Sequence, residues 1–271
     1  MFILSIAVIA VVLVLASGKP LPDPMLEMLD RYLGDDGRST ATLVAVGFGV
    51  GVGIGFTPLK LYFRYFATVV HELGHAFMAG ALFARPKSIH IHPSSSGLAI
   101  YELSPNWGRF RATLVSAAGY PAPSIAALAA VNAIQQSRTM AWAVFSIGVL
   151  SVAVVILIRN LWGFLWTSSV IGASYYGYDK IPLNVVGAVV AGIAGYLALS
   201  SVQFAWTQLT LTRKARGVGV DAESIEAFTR IPAKVVAIGH LLITLILGYL
   251  ATKTAVSPKW DEIEQWIRNL Y

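Results

Sequence analysis

The sequence predicts an all-α, polytopic transmembrane helix bundle of seven or eight spans, with one small β-hairpin after the third apolar run. Three observations carry this. Hydrophobic residues make up 56% of the 271 positions and charged residues only 13%, whereas soluble domains carry about 25% charged residues. Apolar runs of about 20 residues, the length that crosses a bilayer, recur along the whole chain. The Lys and Arg behind the net charge of +6 lie mostly in the short connections between those runs, as membrane topology requires. No basic stripe with interleaved aromatics occurs, which excludes nucleic acid as a partner. There are no cysteines, so any metal must be held by nitrogen and oxygen.

Residues 1–17 are apolar without a basic start, which predicts an uncleaved first span rather than a signal peptide. A polar loop rich in Pro and Asp follows, and residues 1–40 form an N-terminal span and loop ahead of a core over 41–256. In "VGFGVGVGIGF" glycine takes every second position. A lone strand cannot satisfy its backbone in lipid, so the segment is a helix. On it Gly47, Gly51 and Gly55 form one small face and Gly49 with Gly53 another, which predicts close helix packing. Further apolar runs cover about 61–84, 112–134, 140–158, 161–176, 183–211 and 231–252.

Between the third and fourth runs, "SIHIHPSSSGLAIYEL" predicts the hairpin: alternating residues, a Ser- and Gly-containing turn, and a second apolar strand. His90 and His92 would share one strand face, as the polar side of a hairpin whose isoleucines touch lipid or protein. An exposed hairpin edge would suit an unwound substrate segment as an added strand. The C-terminal stretch 257–271 puts Trp260, Ile263, Ile267 and Leu270 on one face. It predicts a short amphipathic helix on the membrane surface, starting at Ser257 and Pro258. Loops after the first, third, fifth and seventh runs hold more Lys and Arg than the alternate ones, which makes them cytoplasmic by the positive-inside rule.

The chemistry lies in "TVVHELGHAF", residues 68–77. His71 and His75 are four apart, so on a helix both point at one ion, and Glu72 lies beside them. Two imidazole ligands with a neighbouring carboxylate as general base is the physical content of this spacing. Zinc held by three protein ligands keeps a fourth position for the water it activates. Ionisable groups inside a span are costly, at roughly 2.5 to 3.5 kcal/mol each, so three within five residues point to a functional site.

With that motif inside a multi-span chain, the sequence resembles the site-2 protease family of intramembrane zinc metalloproteases, in its compact bacterial M50B-like branch. "LVSAAGYPAPSIAALAA" resembles the family's Ala-Gly-Pro segment, with Tyr120 inserted, and "RNLWG" and "VDAESIEAFTRIP" resemble the compact branch. The resemblance implies a membrane-embedded, multi-pass endopeptidase of the cell membrane. It would cut transmembrane or membrane-adjacent protein segments within the lipid bilayer, with Zn2+ as cofactor and Glu72 as catalytic base. Leu-Asp-Gly and Asn-Pro-Asp-Gly, which supply the third ligand in better-known members, are missing. The resemblance offers Asp221 in their place beside His71 and His75, with Asp179 as runner-up and Glu102 behind both. Asp221 would otherwise serve as a helix N-cap, and His240, alone in the last span, as a hydrogen-bonded packing residue. A catalytically silent relative that binds membrane proteins is the alternative function, against which the intact Glu72 argues. A metal transporter would need ionisable residues on several spans.

Overall fold

The computed structural model describes residues 41–102, 108–177, 180–214 and 220–268. The N-terminal span and loop expected over 1–40, and Asp179, lie outside them. Among the described residues the chain is mostly helical: α1 (Ala41–Ile54), α2 (Lys60–Ala81), β1 (Arg85–Ile91), β2 (Gly97–Glu102), α3 (Arg109–Ala118), α4 (Pro121–Gln135), α5 (Thr139–Ile156), α6 (Leu161–Gly177), α7 (Leu183–Lys214), α8 (Asp221–Thr229) and α9 (Ala233–Arg268).

Among the described residues, three stretches are long and apolar enough to cross a membrane: Thr139–Ile156, Val185–Thr212 and Ala233–Ser257. The pair α3 and α4, bent by 55°, adds a fourth if taken as one span. This is fewer than the seven or eight runs read from the sequence, and the reasons are local. At a rise of about 1.5 Å per residue, α1 with its 14 residues falls short of a hydrocarbon core of about 30 Å. α6 has 17 residues, and α2 carries Lys60, Arg64 and the HELGH groups.

α7 is the central helix and packs against α1, α4 and α9. Val44 and Phe48 of α1, Leu128 and Val131 of α4, and Leu197 of α7 share one buried cluster. α2 borders a second cluster as well, where its Val69 and Leu73 meet Ile89, Ile91, Leu157 and Trp166. Ala67, two residues before Val69 and so on the opposite face of the helix, belongs to the first. The helix bearing the HELGH sequence is therefore wedged between two cores.

The α3–α4 break follows from proline chemistry. Pro121 and Pro123 have no N–H to give to the preceding turn, so the ladder stops at Gly119 and Tyr120. Ser201 of α7 donates its hydroxyl to the Tyr120 carbonyl at 2.8 Å and ties the break to the central helix.

β1 and β2 pair antiparallel, with Ile89 opposite Ala99 and Ile91 opposite Gly97. The outer edge of β1 is covered by the end of α5: Ile89 N–H donates to Leu157 O at 2.7 Å and Arg159 N–H to Ile89 O at 3.2 Å. Asn160 completes that edge, accepting from Ile91 N–H at 2.9 Å and donating to Ile91 O at 2.6 Å. Ile89 and Ile91 face the protein interior and are fully buried, while His92 is exposed. Tyr65 and Thr68 of α2 donate to the carbonyls of Pro93 and Ser95, which pins the hairpin turn against the helix.

At the C-terminus, α9 runs through Ser257 and Pro258 to Arg268 instead of restarting there. Pro258 cannot donate to the Thr254 carbonyl. Gln135 of α4 donates to that carbonyl instead, at 3.2 Å, so the helix passes the proline with the acceptor satisfied.

Candidate metal centre

α2 presents His71 and His75 on one face, as their spacing requires. Their Nε2 atoms lie 3.2 Å apart. The third member comes from α8. Asp221 Oδ2 is 3.4 Å from His71 Nε2 and 3.2 Å from His75 Nε2. Asp221 is not the N-cap: Val220 takes that position, with extended backbone and no side-chain cap bond. Asp221 is thus the first helical residue, and its carboxylate is turned to the histidines.

These three distances test the group against a metal directly. Zinc bonds to nitrogen and oxygen ligands run about 2.0–2.2 Å, so neighbouring corners of a tetrahedron around zinc are about 3.3 Å apart. The three donor atoms already stand at that separation. His71, His75 and Asp221 are a set that could hold a metal ion, and two imidazoles with one carboxylate is a donor set suited to zinc.

The ring of His75 is oriented from behind. Its Nδ1–H donates to Val115 O at 2.7 Å, which leaves the Nε2 lone pair for the cluster. Val115 lies in the last turn of α3, where a helix has carbonyls without intrahelical partners. His71 is held by ring contacts instead: Tyr120 meets it edge-on at 4.9 Å and Phe204 at 6.5 Å. Its Nδ1 is buried with no hydrogen-bond partner among the described residues.

Glu72 is buried and stands apart from the three-residue donor group. Its carboxylate lies near the backbone N–H of Ala99 in β2. Because Ile89 N–H and C=O point away from β2, the pair Ile89–Ala99 is one of the non-hydrogen-bonded pairs of the ladder. The N–H of Ala99 therefore lies on the free edge of β2, beside Glu72.

Two glycines make room for these side chains, and sequence reading missed both. A Cβ on Gly97 would fall 2.6 Å from Glu72 Cγ and 2.8 Å from Cδ. A Cβ on Gly119 would fall 2.6 Å from Cε1 of His75 and 2.7 Å from Cε1 of His71. The only signal for Gly119 was its place in "AAGYP"; Gly97 looked like an ordinary end of a hairpin turn.

The other candidates lie elsewhere. Glu102 pairs with Lys87 across the open end of the hairpin at 2.9 Å. That ammonium bond holds its carboxyl below the ordinary glutamate value. His90 bonds Ser88 Oγ at 3.1 Å, and neither His90 nor His92 joins a metal-capable group among the described residues. His240 is buried, bonded through Nδ1 to Gln208 Oε1 at 2.9 Å. It also stacks on Tyr120 at 4.9 Å with 14° between the rings. The lone histidine of the last span is thus linked through Tyr120 to His71.

No curated protein and no solved structure matches the chain. A family model does, over residues 41–251, and its description is Peptidase M50B-like. That range takes in both histidines, Glu72, Asp221, the hairpin, two of the three stretches able to cross a membrane and most of the third, and covers well over half of the 271 residues. This membrane protein belongs to the Peptidase M50B-like family.

Proposed function

We propose that the chain is an intramembrane zinc endopeptidase that cuts transmembrane or membrane-adjacent protein segments, as a multi-pass protein of the cell membrane. The observation that carries this is the near-equal separation of His71 Nε2, His75 Nε2 and Asp221 Oδ2, at 3.2 to 3.4 Å. A buried Glu72 stands next to them and outside the donor set. In this reading α1, α2 and α6 also lie within the bilayer, packed against the three longer spans.

His71, His75 and Asp221 would hold the metal. Bound there, zinc would polarise a peptide carbonyl and make a water molecule acidic near neutral pH. Glu72 takes the proton of the attacking water and passes it to the leaving amine nitrogen. The close approach of Gly97, where a Cβ would fall 2.6 Å from Glu72 Cγ, leaves its carboxylate room on the hairpin side of the site. Val115, by accepting from His75 Nδ1–H, holds that imidazole in the tautomer a ligand needs.

The free edge of β2 supports the substrate class. One edge of the hairpin is closed by residues 157–160, and the other passes Glu72. An extended segment added along β2 would lay its backbone beside the base, with main-chain hydrogen bonds setting its register. A transmembrane helix must unwind locally before it can be cut, and an edge that accepts strands offers partners for the freed backbone groups.

Glu72→Gln and Asp221→Asn test the reading together. Glu72→Gln is expected to keep the metal and lose cleavage by about a hundred- to ten-thousand-fold. Asp221→Asn is expected to lose both metal and activity, since a neutral amide is a poor ligand. Metal analysis of purified protein beside cleavage of a membrane-embedded substrate reads both. Undiminished cleavage by Glu72→Gln would remove the protease assignment. Wild-type protein that holds zinc but leaves every membrane substrate intact would point to a silent, binding relative.

A further inference from the structure

One cavity and two cations take no part in the chemistry above. α2 begins with Lys60 and, one turn later, Arg64, on the same helix face. Neither forms an ion pair among the described residues, where the pairs are His71 and His75 with Asp221, and Lys87 with Glu102. Both line a cavity of about 570 Å³ between α2, α7 and α9, within the range of about 300–1,000 Å³ that holds small ligands. The remaining wall is largely apolar, with Phe204, Trp206, Leu241 and Leu245.

The depth of this cavity makes the cations informative. The Tyr196 hydroxyl donates to Lys60 O at 3.1 Å, and Tyr196 lies inside the apolar stretch Val185–Thr212. The first turn of α2 is therefore tied to a membrane-crossing segment. Arg64 is held on the cavity side, with its guanidinium 5.4 Å from the centre of the Phe204 ring. Basic groups at such a level are costly without a compensating anion. Trp206 and Leu245 are exposed, and both sit on helices that contain candidate spans. The cavity thus joins two cations of α2 to an apolar exit formed by α7 and α9.

We propose that this cavity binds a glycerophospholipid with an anionic headgroup. Its phosphate sits between Lys60 and Arg64, its glycerol and first methylenes lie against Leu241 and Leu245, and its chains leave past Trp206. Two cations one helical turn apart suit a phosphate with several acceptor oxygens. A peptide carboxylate would meet the charges but would leave the apolar exit unused. The inference does not rest on the protease reading: Phe204 also meets the His71 ring at 6.5 Å, but neither cation belongs to the metal-capable cluster.

The test uses the full chain purified in neutral detergent, with bound lipid measured by native mass spectrometry. Phosphatidylglycerol is expected to be retained in preference to phosphatidylcholine. Each basic residue near lipid headgroups contributes about five-fold, so the double variant Lys60→Gln with Arg64→Gln should bind phosphatidylglycerol about twenty-five-fold more weakly. Leu245→Trp, which fills the apolar end and leaves both cations, should weaken it as well. Thermal unfolding and metal content of each variant check that the fold is retained. Equal retention of the two lipids, or unchanged affinity in the double variant, overturns the proposal. Inorganic phosphate that competes equally well, with no effect of Leu245→Trp, would make this a free-phosphate site and overturn the lipid. An acidic transmembrane peptide that displaces phosphatidylglycerol at lower concentration would make the occupant a protein segment and overturn it too.

Discussion

Two regions of the molecule use glycine for close approach, and they use it for different ends. Where α1 crosses α7, glycine lets backbone meet backbone. A Cβ on Gly51 would fall 2.7 Å from the carbonyl carbon of Gly192, and one on Gly47 would fall 3.0 Å from the Cα of Ala188. Around the metal-capable cluster, glycine lets backbone meet ionisable side chains: Gly119 lies under the two imidazoles and Gly97 under Glu72. In the first region the neighbour cannot retreat, so the glycine sets the distance between helices. In the second the neighbour is the movable end of a side chain, so the glycine sets where that chemistry sits. The same absent methyl group is a matter of stability in one place and of function in the other.

Substitutions can break that distinction or sharpen it. The largest effect is expected at Gly51→Leu, which drives a side chain into the backbone of α7. Overpacking of this kind costs about 3 kcal/mol or more, read as a lowered unfolding temperature and poor recovery from membranes. The molecules that do fold should hold metal normally. Gly119→Ala is expected to unfold near the wild-type temperature yet bind metal about ten- to a hundred-fold more weakly, because it displaces ligands and not helices. An unfolding temperature lowered as far as that of Gly51→Leu would erase the contrast. Gly97→Ala comes next. It should keep the metal and slow cleavage by about ten- to a hundred-fold, since a shift of about 1 Å in a catalytic group has that effect. Smallest of all is Gly49→Ala, where a Cβ meets nothing within 4 Å. It should change stability by less than about 1 kcal/mol, and upward, because alanine stiffens the unfolded chain. A loss there as large as at Gly51 would mean that helix propensity, not contact, governs α1.

The two small faces of α1 show how much of the packing was legible. Periodicity separates Gly47, Gly51 and Gly55 from Gly49 and Gly53, and the structure divides them the same way: the first three approach α7 while the other two meet nothing. Periodicity carries no information on which helix is met, and α7 lies far along the chain. Span counting went less far. Hydropathy marks Leu61–Ala84 and Leu161–Tyr176 as apolar runs, but a run does not reveal its helix length, its bends or the charges at its start.

What the sequence by itself determined is whatever depends on neighbours within a turn or two. The HELGH spacing places two imidazoles on one face because a helix repeats every 3.6 residues or so, and the alternation in "SIHIHP" makes a strand with buried isoleucines. The prolines of "GYPAP" interrupt a helix wherever they occur. Only the tertiary structure decided that α8 delivers Asp221 Oδ2 to within 3.4 Å of both imidazoles. It also decided that Val115 orients His75, that Ala99 meets Glu72, and that Tyr120 joins His240 to His71. None of these pairs is close in the chain. Their meeting depends on how α2, the hairpin, the α3–α4 break and α8 pack as solid bodies, and packing is a property of the whole set of side chains and of no single segment.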